Sequence, residues 1–475
     1  MDVKSSVKID GDKTNIDPQL LFQRLVIAGS NDLESMFKYE LCSHPTSLFD
    51  TSLMLRQPQK SLLADAIWDL VINQNSEISG EVQYVLDGGA LLHRIPWPKV
   101  GATYKDLCKM YTDYVIKKYG KAIVVFDGYD KGASTKDMAH QRRRGGKTVP
   151  TVQFTEEMTV TMRKEIFLLN KDNKQRFIDI LSQNLKSTGC TAIHAESDAD
   201  VLIVQTAVEC ATTINTVVIG DDTDLLVLLI YHAQQGSHDI YFKPEPKKNT
   251  KKQRIWNIQA VKENLGHELC NSILFIHAIL GCDTTSHIFG IGKAASIKKF
   301  TSSQYFRDQA KVFDDIPGSK DDIILAGVRA ITCLYNGKPE DNLDSLRHKK
   351  FCEKVATKVS HVLPQTIPPT SSAAKFHSLR VYFQIRQWKG MWGNMKPEDW
   401  GWRYSDGSLV PVMTDLPPAP EDLLRVIRCN CQTDCSSFRC TCRKHDLECT
   451  AACGQCRGSG CSNCAETEMD QDDNL

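Results

Sequence analysis

The sequence predicts an α/β protein built on a mostly parallel sheet, and three observations lead to that fold class. Short apolar segments alternate with helical stretches between residues 81 and 305. Most of those segments run directly into an acidic residue. Strand and helix patterns alternate singly, which calls for right-handed crossover connections between parallel strands.

In chain order the segments are VQYVLD, a helical stretch over 107–119, AIVVFD, and a long helical stretch after Thr155. TAIHA, a helix from Asp198, and NTVVIGDD follow. A polar loop, 243–254, then leads to a short IWNI strand, apolar helices through Leu280, and the segment GCDTTSHIFGIGKAA. Such sheets place their reactive groups where strands end, because the loops there converge on one crevice.

The rest of the chain frames this core. Residues 1–80, with amphipathic stretches from Pro18 and from Ser61, read as a helical accessory region. Residues 306–363 read as a helical extension, and 364–424 as a Pro-rich linker, PQTIPPTSSAAKF, followed by a segment rich in Trp388, Trp392, Trp400 and Trp402. Residues 425–465 form a cysteine-rich module and 466–475 an acidic tail. At 475 residues the chain exceeds one comfortable core. Lys plus Arg equals Asp plus Glu at 58 each, so any nucleic-acid contact must come from local patches. No signal peptide and no bilayer-spanning apolar run is read, and no membrane partner is expected.

Carboxylates follow apolar segments at five places: Asp87, Asp127, Glu196 with Asp198, Asp222 with Asp224, and Asp283. Crowded carboxylates repel one another and are expected to hold hard divalent cations between them. Two Mg²⁺ or Mn²⁺ ions roughly 4 Å apart suit phosphodiester cleavage. Any single Asp of this kind is more often a turn or cap residue, but five coincident sites reverse that balance. Asp200 and Asp221 each neighbour a better candidate and are placed outside the ligand set.

YVLDGGALLH, VVFDG, ESDAD, GDDTDLL and GCDTTSHIFGIGKAA together resemble, in order and separation, the motifs of flap endonucleases and XPG nucleases within the PIN-like group. The resemblance covers about 220 residues, and its most specific part is Asp283 seven residues before Gly290-Ile291-Gly292. It implies that Asp87, Asp127, Glu196, Asp198, Asp222, Asp224 and Asp283 divide between two metal sites, with no protein nucleophile. It also implies that Lys136 and Arg143, with Arg142 nearly as good, reach the scissile phosphate. Arg142 and Arg144 belong to the same basic run, GYDKGASTKDMAHQRRRGGK. Residues from about 148 to 186 take the place of the family's helical arch. Gly290, Gly292 and Lys293 resemble a helix-hairpin-helix turn, spanning 283–300, that grips duplex phosphates. Two departures stand out: the first Asp follows more than 80 residues, and Asp198 stands where the family has Glu.

The cysteines Cys429, Cys431, Cys435, Cys440, Cys442, Cys449, Cys453, Cys456, Cys461 and Cys464 put ten thiols in 36 residues. That density selects Zn²⁺, two or three ions, and a module that folds only with metal. The first seven resemble the tesmin-type CXC module, which binds DNA; the last three are spaced differently. The expected protein is a Mg²⁺- or Mn²⁺-dependent nuclease of structured or single-stranded DNA, nuclear or alternatively cytoplasmic, without a small-molecule cofactor. RNA cleavage and a non-catalytic DNA-binding regulator, derived from a mobile element, are the alternatives.

Overall fold

The computed structural model describes residues 6–9, 11–29, 32–71, 77–98, 101–128, 132–145, 149–196, 198–234, 236, 238–245, 254–314, 319–357, 362–432, 434–459 and 461–464. Lys131, Lys147, the basic loop 246–253 and the acidic tail from 465 lie outside them, as do the side chains of His140, Arg143 and Arg144.

The chain begins with an antiparallel hairpin, β1 (Ser6–Ile9) and β2 (Asp12–Asn15), where a helical region was expected. Val7 and Ile9 alternate inward with solvent-facing neighbours, the period-2 signature of a half-buried strand. The helix Pro18–Ala28 follows, capped by Asp17, whose carboxylate accepts from the Gln19 and Leu20 amides.

Next come β3 (Val82–Asp87), β4 (Ile123–Phe126), β5 (Thr191–His194), β6 (Asn215–Ile219), β7 (Ile240–Lys243) and β8 (Trp256–Asn257). Among the described residues they form a six-stranded sheet of order β5-β4-β3-β6-β7-β8, parallel except for β8. Both faces are covered. Val85, Val125 and Val218 enter one apolar core with the helices Asp200–Cys210, Thr223–His232 and His267–Ile279. Leu86, Val124, Phe126 and Val217 enter the other with Tyr104–Tyr119 and Lys171–Ser187. Burial on two faces is why these strands read as unbroken apolar runs.

The chain runs outward from β3 to β5, then returns to β6 on the far side of β3. That reversal opens a crevice at the carboxyl ends of β3 and β6. The register aligns these ends: Asp87 lies opposite Val125, two residues before Asp127, and Leu86 lies opposite Ile219, three before Asp222.

Two expectations are corrected here. The segment 364–370 is not a linker: Ile367 and Thr370 are buried, and the Thr370 amide and hydroxyl both donate to Glu40. It leads into the helix Ser371–Trp388, which buries His377, Ser378, Arg380 and Gln384 and packs against Lys320–Leu334 and His267–Ile279. Within the supposed arch, Lys171–Ser187 buries Phe177, Ile178, Leu181 and Leu185 against the sheet, as a crossover helix does. In the Trp-rich segment, Trp388 and Trp402 are buried, and β9 (Trp402–Ser405) pairs with β10 (Ser408–Pro411), whose hairpin packs against the helix Asp137–Arg144.

Candidate active site

Each acid of the crevice is positioned by backbone structure around it. Asp87 ends β3 and caps the helix Gly88–Arg94, accepting from the Ala90 amide at 3.1 Å. Asp127 follows β4 and accepts from the Ala199 amide at 3.2 Å. Gly89 lies between them: a Cβ there would sit 3.1 Å from Asp87 Oδ1 and 3.3 Å from Asp127 Oδ2, crowding both carboxylates. Asp222 caps the helix Thr223–His232 and accepts from the Asp224 amide at 3.0 Å. Asp222, Asp224 and Asp283 each aim one oxygen into a space less than 4.8 Å across.

Cations thread this cluster. Lys60 Nζ lies 2.9 Å from Asp224, 2.9 Å from Asp283 and 3.4 Å from Asp222. Lys136 Nζ lies 2.6 Å from Asp198 and 3.4 Å from Asp200. Lys174, from the crossover helix, stands 3.8 Å from Asp127. His277, fully buried, donates Nε2–H to Asp224 at 2.7 Å.

The electrostatics follow from burial among like charges. Burial pushes the Asp87 carboxyl up to about 7, helped by Asp127 and Asp222. Asp222 and Asp200 are also raised, first by burial and then by Asp224 and Asp198 respectively. Asp224 goes the other way: burial would raise it, but Lys60 and His277 hold it well below the usual carboxylate range. Burial opposes the charge on Lys60 and Lys136, yet the surrounding carboxylates keep both firmly protonated. Seven carboxylates with hard oxygen donors at this density fit divalent cations of the Mg²⁺ or Mn²⁺ kind. A cavity of about 400 Å³, lined in part by Lys60, Asp87, Gly89, His93 and Asp222, opens beside them.

The structure therefore brings together Asp87, Asp127, Asp198, Asp222, Asp224, Asp283 and Lys136. Glu196 is exposed on the turn after β5, its backbone packed on Gly128 beside Asp127, while Asp200, set aside from sequence, shares Lys136 with Asp198. Arg142 is held by Asp50 at 2.7 Å and the Leu55 carbonyl at 2.8 Å, away from the acids. Arg143 and Arg144 have no described side chains.

Gly290, with φ 77°, and Gly292, which caps the helix Lys293–Ser302, face open space. Lys293 does not: it is buried, donates to the Gly281 carbonyl at 3.2 Å, and burial lowers its pKa to about 8. Its alkyl stem completes the core under the turn, so it is not a surface phosphate contact. Lys60, Lys174 and His277 carried no local signal. Each reaches the acids from an element remote in sequence, Lys60 from 162 residues before Asp222.

The cysteine module has its own geometry. Three groups of four sulfurs lie within 4.8 Å: Cys429, Cys435, Cys440 and Cys449; Cys429, Cys442, Cys449 and Cys453; and Cys435, Cys449, Cys456 and Cys461. Neighbouring sulfurs stand 3.6 to 3.8 Å apart. A tetrahedron with Zn–S bonds of about 2.3 Å has edges of about 3.8 Å, so the spacing fits zinc with shared thiolates. Cys431 and Cys464 pack against the same cluster without joining any of the three groups. Cys464 instead approaches the Cys461 carbonyl. The module is docked: buried Arg24 donates to Cys442 Sγ at 3.2 Å and to the Ile427 and Glu448 carbonyls.

No protein-family model matches the chain, and no curated protein matches it. Among solved structures it is similar to the catalytic core of Rad2 in complex with DNA substrate, at 16% identity over 76% of this chain and 93% of that chain, TM-score 0.35. It is similar also to T5 5′-exonuclease with bound zinc, at 13% identity over 58% and 99%, TM-score 0.32. A third is flap endonuclease-1 from Methanococcus jannaschii, at 12% identity over 68% and 95%, TM-score 0.29.

Proposed function

We propose that this chain is a divalent-metal-dependent nuclease that hydrolyses phosphodiester bonds of structured or single-stranded DNA. The observation that carries the reading is the convergence of acids from the ends of four adjacent strands, β5, β4, β3 and β6, with Asp283, on one crevice. So many clustered, mutually repelling carboxylates raise the free energy of the fold unless cations lie among them.

Asp87, Asp127, Asp222, Asp224 and Asp283 are the residues that would hold two ions, with Asp198 and Asp200 beside them. Ions there would lower the pKa of a coordinated water and neutralise charge on the phosphate. The chain's own groups do the rest. Lys136 positions its ammonium over the acid row, where it can meet a non-bridging phosphate oxygen and offset charge developing in the transition state. Gly89 and Gly220 keep Cβ atoms out of the space beside Asp87, so the backbone can approach the sugar-phosphate closely. The open N-terminus at Gly292 faces solvent as a phosphate-binding end, reading backbone and not sequence.

The cysteine groups hold zinc in this reading. Phe438, 76% exposed, with Arg439 and Lys444 also exposed, gives the module an aromatic and basic face for duplex DNA. A nuclear location follows from a DNA partner.

The test is cleavage of labelled 5′-flap, single-stranded and duplex DNA, and matched RNA, by purified protein with Mg²⁺, Mn²⁺ or chelator. Metal-dependent cleavage of a DNA substrate supports the reading. Cleavage of RNA alone reassigns the substrate, and DNA binding without cleavage under every condition refutes catalysis.

A further inference from the structure

We propose that Lys60 is the crevice's own cation, holding the place of one of the two divalent ions, so that an ion binds Asp222, Asp224 and Asp283 only when Lys60 withdraws. This inference rests on the metal-dependent reading of the site, and it concerns how the second ion position is filled.

Three carboxylates from two places in the chain, the pair Asp222 and Asp224 and the remote Asp283, converge on one ammonium. Those same three acids have oxygens close enough together to ligate a single ion. Hard divalent ions bind carboxylate oxygens at roughly 2.0–2.6 Å. An ion at that distance from all three oxygens would occupy the volume of Lys60 Nζ, and two cations in one cage repel strongly. The two states exclude each other.

Lys60 is placed, not incidental. It stands at the first turn of the helix Ser61–Trp68, which is anchored by Leu63 and Ile67, both fully buried, against the helices Lys293–Ser302 and Thr223–His232. The backbone therefore stays while the four-carbon stem is free to swing. The cavity of about 400 Å³ that Lys60 itself lines gives it room to do so. By contrast, Asp87 and Asp127 flank Gly89, and the ammonium beside Asp127 is that of Lys174, at 3.8 Å; these two acids would hold the first ion. On this proposal the ion at Asp87 and Asp127 binds first. Entry of the second ion, or of a phosphate that draws Lys60 away, completes the site.

The experiment is a Mn²⁺ titration of the full chain, free Mn²⁺ being read by electron paramagnetic resonance, for the unaltered protein and for Lys60→Met, which keeps the length of the stem. The unaltered protein should bind one ion tightly and a second at least tenfold more weakly than Lys60→Met does. Lys60→Met that folds only when Mn²⁺ is present would also support the proposal, since the ion then replaces the ammonium. In the unaltered protein, saturating Mg²⁺ should raise reductive methylation of Lys60 several-fold, mapped by mass spectrometry. Two ions of equal affinity in both proteins, or methylation of Lys60 unchanged by Mg²⁺, overturns the proposal while leaving the nuclease reading intact. No ion bound by either protein overturns both.

Discussion

His277 donates its Nε2–H to Asp224 Oδ1 at 2.7 Å, inside the core and stacked on Trp388. Asp224 is itself only 2% exposed, so this bond fixes which way its other oxygen faces the crevice. Burial lowers the pKa of His277 while Asp224 opposes the shift, and because the carboxylate can only accept, the shared proton sits on Nε2. Replacing His277 by Phe should weaken Mn²⁺ binding about 10- to 100-fold, as loss of a group that orients a ligand does. Affinity for duplex DNA measured without divalent metal should stay the same.

Lys136 shares its ammonium between Asp198 and Asp200 at the edge of the acid row. Removing one preorganised charge from a transition state typically costs about 10²- to 10³-fold in kcat. Lys136→Ala should therefore cleave slowly with KM for DNA little changed, as single-turnover kinetics will show.

Arg24 joins the N-terminal helix to the cysteine module through one thiol and two carbonyls, and it is 4% exposed. Arg24→Met leaves two buried acceptors, the Ile427 carbonyl and Cys442 Sγ, without their donor, at a cost of about 2–3 kcal/mol in urea unfolding. Zinc removal by chelator should expose the hairpin Ser6–Asn15 as well as the module to protease, because Leu424, Ile427 and Ala452 share a core with Val7 and Ile9. Protection of the hairpin after chelation would show the module to be independent.

Burial lowers the pKa of His44 to about 4 and of His377 to about 3. The unfolded chain protonates both near pH 6.5, where the folded chain does not. Their contribution to stability is thus full above about pH 6.5 and is lost as pH falls toward 4, by about 1.4 kcal/mol per pH unit for each histidine. The raised carboxyls of Asp87, Asp200 and Asp222 act in the opposite sense, so the check is the difference in urea unfolding at pH 7.5, 6 and 5 between the unaltered protein and His377→Gln; a difference that does not shrink in favour of the variant on acidification contradicts the sign.

The acids were legible in the sequence because each follows an apolar strand whose end is fixed by its own pattern, as VQYVLD and AIVVFD show. The sheet order was not, since it depends on which side of β3 the chain returns to. The helix Ser371–Trp388 was hidden because its buried face carries His377, Ser378, Arg380 and Gln384, satisfied in part by carbonyls such as Ile279, Gly401 and Val412. Such a face reads as solvent-exposed. Lys293 misled in the opposite sense: a lysine after a glycine turn suggests phosphate, yet its ammonium is spent on the Gly281 carbonyl. Asp200 was passed over because its neighbour Asp198 fitted the motif first, while only the shared Lys136 reveals both as members of the row.

The central claim is that Asp222 belongs to a metal centre that hydrolyses DNA. Asn at this position can still cap the helix Thr223–His232, so Asp222→Asn should fold normally. The measurement is cleavage of a labelled DNA flap by the unaltered protein and by Asp222→Asn in Mg²⁺, alongside DNA affinity by fluorescence anisotropy in Ca²⁺. The account predicts that cleavage is lost and affinity retained; cleavage at an undiminished rate in Asp222→Asn would contradict it.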